Sequence, residues 1–206
     1  MTVSRRGLCL AVTVLAALQL AACDLKLPGR GDKPAFKAVD ITGAEYARNL
    51  ALTDGDGQPR TLADFKGKLV VVFFGYTQCP DVCPTTMTEL AEVKRSLGAD
   101  SARVQGVFVT VDPERDTGPL LKAYVANFGP DIIGLRGTPE QTKAAAKEFK
   151  IFYSKVPGKT DTSYTVDHTA GSYVLDTQGR PRLFTRYGSG AKALADDLKL
   201  LLAEKN

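Results

Sequence analysis

Hydrophobic and polar positions along the chain follow two alternating periods. Apolar, β-branched runs at residues 69–74 and 104–111 are continuous rather than alternating, which marks strands buried on both faces. Shorter runs at 132–135, 151–155, 170–175 and 182–185 predict further strands. Between them the period becomes helical. Met87, Leu90, Val93 and Leu97 recur at one-face spacing and predict a helix over about 85–97. Residues 117–128 and 138–149 predict two more helices, the first with Pro119 suited to its opening turn. An amphipathic pattern over 191–203 predicts a terminal helix.

Turn chemistry supplies the connections. Asp54-Gly55-Asp56-Gly57 follows a short strand and predicts an N-terminal hairpin, and Asp176-Thr177-Gln178-Gly179 predicts a closing one. Asp64-Phe65-Lys66-Gly67-Lys68 is a turn into the buried strand at 69–74, and residues 156–165 read as a polar loop. Strands alternating with helices, then a hairpin, then a helix is an α/β, thioredoxin-like order. It has a central mixed β-sheet flanked by helices. The N-terminal hairpin and a β–α unit before the closing hairpin are additions to that order. No internal repeat is visible.

The start of the chain has a different character. Arg5 and Arg6 precede an apolar stretch from Gly7 to Leu20 that ends in Ala21-Ala22-Cys23. A charged segment, a short apolar segment and small residues make a secretory signal, and the stretch is too short for a spanning helix of about 20 residues. Leu20-Ala21-Ala22-Cys23 resembles a bacterial lipobox. The expectation is a lipoprotein signal peptide over 1–22, with Cys23 lipidated as the first mature residue. Ordinary cleavage leaving Cys23 as a free thiol is the alternative, but such a site needs no cysteine there. Residues 23–42 contain Pro28, Gly29, Gly31 and Pro34 and read as a flexible tether. Residues 43–206 read as one domain, long enough for a proper core. The chain is then expected at the extracytoplasmic face of the cell membrane, held by its lipid, on the periplasmic side of the inner membrane in a Gram-negative cell.

Composition narrows the chemistry. Removing 1–22 takes two arginines and no acids from a formal charge of +4, leaving +2. No Lys/Arg cluster appears, which argues against nucleic acid as a partner. Of the four cysteines, Cys9 leaves with the signal and Cys23 serves the anchor, so Cys79 and Cys83 remain for chemistry. In an oxidising compartment a disulfide between them can persist, but two cysteines do not make a disulfide scaffold.

Those two lie where the strand at 69–74 breaks at Gly75 and opens through a turn into a helix. Redox motifs of thioredoxin type use C-x-x-C; here the spacing is Cys79-Pro80-Asp81-Val82-Cys83, one residue longer. Four residues is about one helical turn, so both thiols can share a face. A helix N-terminus favours thiolates, which serve a soft metal and disulfide exchange equally. The pair alone leaves both open. His168 is the only histidine in the chain and lies at the end of the polar loop. In a thioredoxin-like fold that loop packs beside the active-site turn, which aims His168 at the sulfurs. Two thiolates with one imidazole favour copper, cuprous or cupric, whereas zinc prefers a fourth ligand. A mobile loop over 156–167 would let His168 join or leave the site as copper changes state.

Three motifs then carry a resemblance. Phe74-Gly75-Tyr76-Thr77-Gln78-Cys79-Pro80-Asp81-Val82-Cys83-Pro84, Val111-Asp112-Pro113-Glu114-Arg115-Asp116-Thr117 and Val166-Asp167-His168-Thr169 together resemble the Sco/SenC family, over roughly residues 45–203. The resemblance implies a membrane-anchored, thioredoxin-like copper protein that helps assemble the binuclear copper centre of cytochrome c oxidase. It implies that Cys79, Cys83 and His168 bind copper, and that the partner is subunit II of the oxidase or another periplasmic copper protein. The expected function is a copper metallochaperone. The alternative is a thiol–disulfide oxidoreductase that keeps the oxidase's copper-ligating cysteines reduced, using Cys79 and Cys83 as its redox pair. A peroxidase reading is weaker, because Thr77-Gln78-Cys79 falls one residue short of a Thr-x-x-Cys context. Other residues receive structural readings: Asp116 or Thr117 caps the following helix, Met87 packs in the core, and Asp167 faces away from its neighbour His168.

Overall fold

Seven consecutive apolar or small residues, all buried, make β4 (Leu69–Gly75) in the computed structural model of the chain, which describes residues 35–160 and 163–204. The expected signal peptide, Cys23 and most of the expected tether lie outside the described residues. Ahead of β4 come β1 (Val39–Asp40), β2 (Ala51–Asp54) and β3 (Pro59–Thr61); after it come β5 (Val104–Thr110) and β6 (Ile132–Arg136). A two-stranded ribbon of β7 (Tyr153–Pro157) and β8 (Tyr164–His168) precedes β9 (Gly171–Leu175) and β10 (Pro181–Arg186). The main sheet runs β1-β10-β9-β4-β5-β6-β2-β3. β4, β5 and β6 are parallel, while β9 runs antiparallel to β4. Helices α1 (Val82–Leu97), α2 (Gly118–Ala126), α3 (Pro139–Glu148) and α4 (Ala191–Ala203), with short 3-10 turns at Leu62–Phe65 and Gly98–Arg103, complete the described elements. β4–α1–β5 followed by β9–β10–α4 is the thioredoxin-like arrangement, and the expected N-terminal hairpin is β2–β3 at the sheet's far edge.

Alternation along β4 gives each sheet face its own aromatic anchor. Phe73 packs on Phe108 with ring centroids 5.9 Å apart, and Phe74 packs on Phe149 at 5.2 Å. Each of these buried rings contributes about 1.5–3 kcal/mol through burial. Gly75 ends the strand because nothing larger fits: a Cβ there would lie 2.8 Å from Cys83 Sγ. Glycine therefore lets the first turn of α1 close onto the sheet.

Two segments differ from the sequence expectation. Val39–Asp40, within the stretch read as tether, pairs with Phe184 and Leu183 of β10. The backbone amides of Lys37 and Ala38 donate to the buried carboxylate of Asp197 at 2.9 and 2.8 Å. Two exposed residues paired so far along the chain leave no hydrophobic signature. The second difference is the ribbon. In the stretch read as a mobile loop over 156–167, residues 156–157 and 164–167 are paired strand, with Tyr153 opposite His168 and Pro157 opposite Tyr164. Within β8 only Val166 is buried, so the segment has the polarity of a loop. Among the described residues no helix is long and apolar enough to cross a membrane.

Candidate metal centre

The site forms at the carboxyl ends of parallel strands β4 and β5, the usual place for ligands in open α/β sheets. Cys79 sits in the turn after β4, its amide donating to the Tyr76 carbonyl at 3.2 Å. Cys83 is the second residue of α1, and its amide donates to Cys79 Sγ at 3.4 Å. This is one of the donors a helix leaves unpaired at its start. Cys83 is wholly buried, and that burial, reinforced by Cys79, pushes its thiol well above the ordinary range. Both cysteines are free thiols.

His168 ends β8, and its Nε2 lies 3.3 Å from Cys83 Sγ. Its Nδ1 lies 3.2 Å from the Thr169 carbonyl oxygen. A carbonyl only accepts, so Nδ1 carries the proton and Nε2 turns its lone pair toward Cys83. Burial lowers the imidazole's pKa below its usual value, which keeps the ring neutral at neutral pH. Phe73 and Tyr76 meet the ring edge-on at 5.9 and 6.0 Å. The two sulfurs and the imidazole nitrogen all lie within 4.8 Å of one another. Metal–sulfur bonds of about 2.3 Å at a tetrahedral angle set sulfurs roughly 3.8 Å apart, which falls inside the 4.8 Å that encloses these ligand atoms. A surface recess lined by Tyr76, Cys79, Pro80, Val82, Val166 and His168 gives access.

The structure brings together the three side chains singled out in the sequence, and Asp167 is exposed. Met87 is core. The capping residue ahead of α2 is Thr117, whose hydroxyl accepts from the Leu120 amide. Asp116 does something else. Wholly buried, it accepts from the Thr77 amide and hydroxyl at 3.0 and 2.6 Å and from the Thr110 hydroxyl at 2.5 Å. It therefore fixes the turn two residues before Cys79. Sequence reasoning gave Asp112, Arg115 and Tyr164 no role at the site: Tyr164 donates its hydroxyl to Asp112 at 2.8 Å, and Arg115 pairs with the same carboxylate. For Asp112 and Arg115 the signal was the run of charges directly after a buried strand, Asp112-Pro113-Glu114-Arg115-Asp116, too polar to be there for packing.

A thioredoxin-like sheet with two thiols and a neutral imidazole converging on its central turn defines a thiol protein equipped for a soft metal. The chain belongs to the SCO1/SenC family, whose profile matches residues 39–203. It is 43% identical over 170 residues to the mitochondrial SCO2 homolog of Mus musculus, covering 78% of this chain and 65% of that protein. The mitochondrial SCO2 homolog of Bos taurus is 40% identical over 147 residues, covering 70% of this chain and 54% of that protein. The chain thus spans somewhat more than half to just under two thirds of these relatives' lengths. Among solved structures, Bradyrhizobium japonicum ScoI with copper bound superposes with a TM-score of 0.70 at 40% identity, covering 76% of this chain and 99% of that one.

Proposed function

We propose that the chain binds copper through Cys79, Cys83 and His168 and delivers it in the assembly of the copper centre of cytochrome c oxidase. The convergence of two sulfurs and Nε2 within 4.8 Å carries this reading. Thiolates favour cuprous copper, and imidazole extends the site to the cupric ion. The copper-bound ScoI relative supports the same metal. The cargo moves by ligand exchange: a recipient's thiols enter at the recess beside Cys79 and displace these ligands in turn. The recipient is subunit II of the oxidase or another periplasmic copper protein. In this reading the lipidated Cys23 holds the domain, through its tether, at the extracytoplasmic membrane face.

A second reading, reduction of the oxidase's copper-ligating cysteines, is favoured by one observation. Cys79 is partly exposed at the recess and receives the Cys83 amide, as an attacking thiolate requires. One experiment separates the two. Titration of the reduced chain against a cuprous chelator is run beside reduction of an oxidised oxidase peptide. One tightly held copper per chain, weakened roughly 100-fold or more by Cys79→Ala or Cys83→Ala, supports delivery. Fast peptide reduction with only weak copper binding overturns it in favour of the reductase.

A further inference from the structure

The histidine and the cysteines belong to different parts of the fold. Cys79 and Cys83 sit on the β4–α1 turn, built into the main sheet, whereas His168 ends a ribbon that pairs only with itself. His168 runs within three residues into β9, which pairs with β4, so its 3.3 Å approach to Cys83 depends on that short link and on what ties the ribbon to the turn. One side chain reaches both. Arg115 Nη1 donates to Gln78 Oε1, next to Cys79, at 3.2 Å and to the Tyr164 carbonyl at the start of β8 at 2.9 Å. Its Nε is held by the buried carboxylate of Asp112, which also accepts from the Tyr164 hydroxyl at 2.8 Å. The Tyr164 ring covers the guanidinium, 3.6 Å from its central carbon to the ring centroid.

We infer that Arg115 is a positioning residue that locks the His168 ribbon against the cysteine turn and so holds the imidazole in reach of the sulfurs. Asp112 aims the guanidinium, and the guanidinium joins Gln78 to Tyr164. A second tie, Lys155 to Glu114 at 2.7 Å, is exposed on both sides, and such pairs contribute little. Lysine cannot replace the arginine, since its single ammonium lacks the planar fork that keeps Asp112 while bridging two further acceptors. The inference rests on the copper-site reading for its consequence, but not for the latch itself.

Two measurements on the full chain test it. In the metal-free, reduced protein, Arg115→Gln is expected to speed amide exchange across β8 by roughly tenfold, the loss of a hydrogen bond to a charged group, with α1 unchanged. Equal exchange in β8 overturns the latch whatever copper does. With cupric ion bound, Arg115→Gln is expected to weaken the nitrogen coupling from His168 in the electron paramagnetic resonance spectrum. It is also expected to lower affinity about tenfold, as groups supporting metal ligands do. On a His168→Ala background the same substitution should cost nothing more, because Arg115 acts through that imidazole. Additive losses overturn the inference. Failure of the unaltered chain to bind copper instead rejects the metal reading, with the exchange measurement still deciding the latch. Should Arg115→Gln unfold, Arg115→Lys carries both measurements.

Discussion

Cys83 cannot be an ordinary free thiol, because its burial and its main neighbours both favour the protonated form. Burial, reinforced by Cys79, raises its pKa well above the usual cysteine value, and its sulfur faces the lone pair of a neutral Nε2. In the metal-free protein it is a protonated thiol at neutral pH. Metal binding requires the thiolate, so under the proposed ligation each copper bound expels the Cys83 proton to solvent. The sign follows: raising pH removes a competing proton and strengthens binding, by about tenfold per pH unit for each proton released. Cuprous affinity measured between pH 6 and 8 is expected to climb at that slope or steeper; a flat profile would mean Cys83 stays protonated and outside the site. The identity of the three side chains was legible because thiol and imidazole are rare here, with one histidine in the whole chain. Their supports were not, because Asp, Arg and Tyr occur everywhere and acquire meaning only from what they touch.

At the scale of elements, the turn holding Cys79 is held by one carboxylate arriving from the loop after β5. Asp116 satisfies three donors, two of them on Thr77. Asp116→Ala leaves all three buried or partly buried donors without an acceptor. It is expected to destabilise the chain by about 3 kcal/mol or more in urea unfolding. Asp116→Asn should recover most of that. An amide oxygen can accept from the Thr77 amide and the Thr110 hydroxyl, while the amide nitrogen donates to Thr77 Oγ1. Equal losses in the two variants would show that charge, not acceptor geometry, holds the turn. The same scale separates what pattern could and could not reveal. β4, β5 and the helices follow apolar periodicity, and they were found to within a few residues. The β7–β8 ribbon was not, since its single buried position, Val166, gives periodicity nothing to repeat.

At the scale of the whole molecule, the domain takes in residues that composition assigned to the tether. Residues 23–42 look like tether, with glycine and proline and no apolar run. The chain nevertheless joins the domain from Phe36 onward, and it does so through backbone rather than side chains. β1 adds an edge strand to β10, the Ile41 amide donates to the Arg182 carbonyl at 2.9 Å, and two amides satisfy Asp197 on α4. Asp197 is only 1% exposed, so its carboxylate depends on those amides. A chain started at Thr42 removes both donors and keeps the buried charge, which is the costly way to break such an interaction. Truncation is expected to lower stability by at least about 2 kcal/mol in chemical denaturation. The decisive sign is in the pair of substitutions. In the longer chain Asp197→Ala should destabilise, because two amides lose their acceptor. In the truncated chain the same substitution should be neutral or stabilising, because it removes a buried charge that has lost its donors. Destabilisation of similar size in both backgrounds would mean that Asp197 serves α4 itself, and that the segment before β1 adds nothing the fold requires.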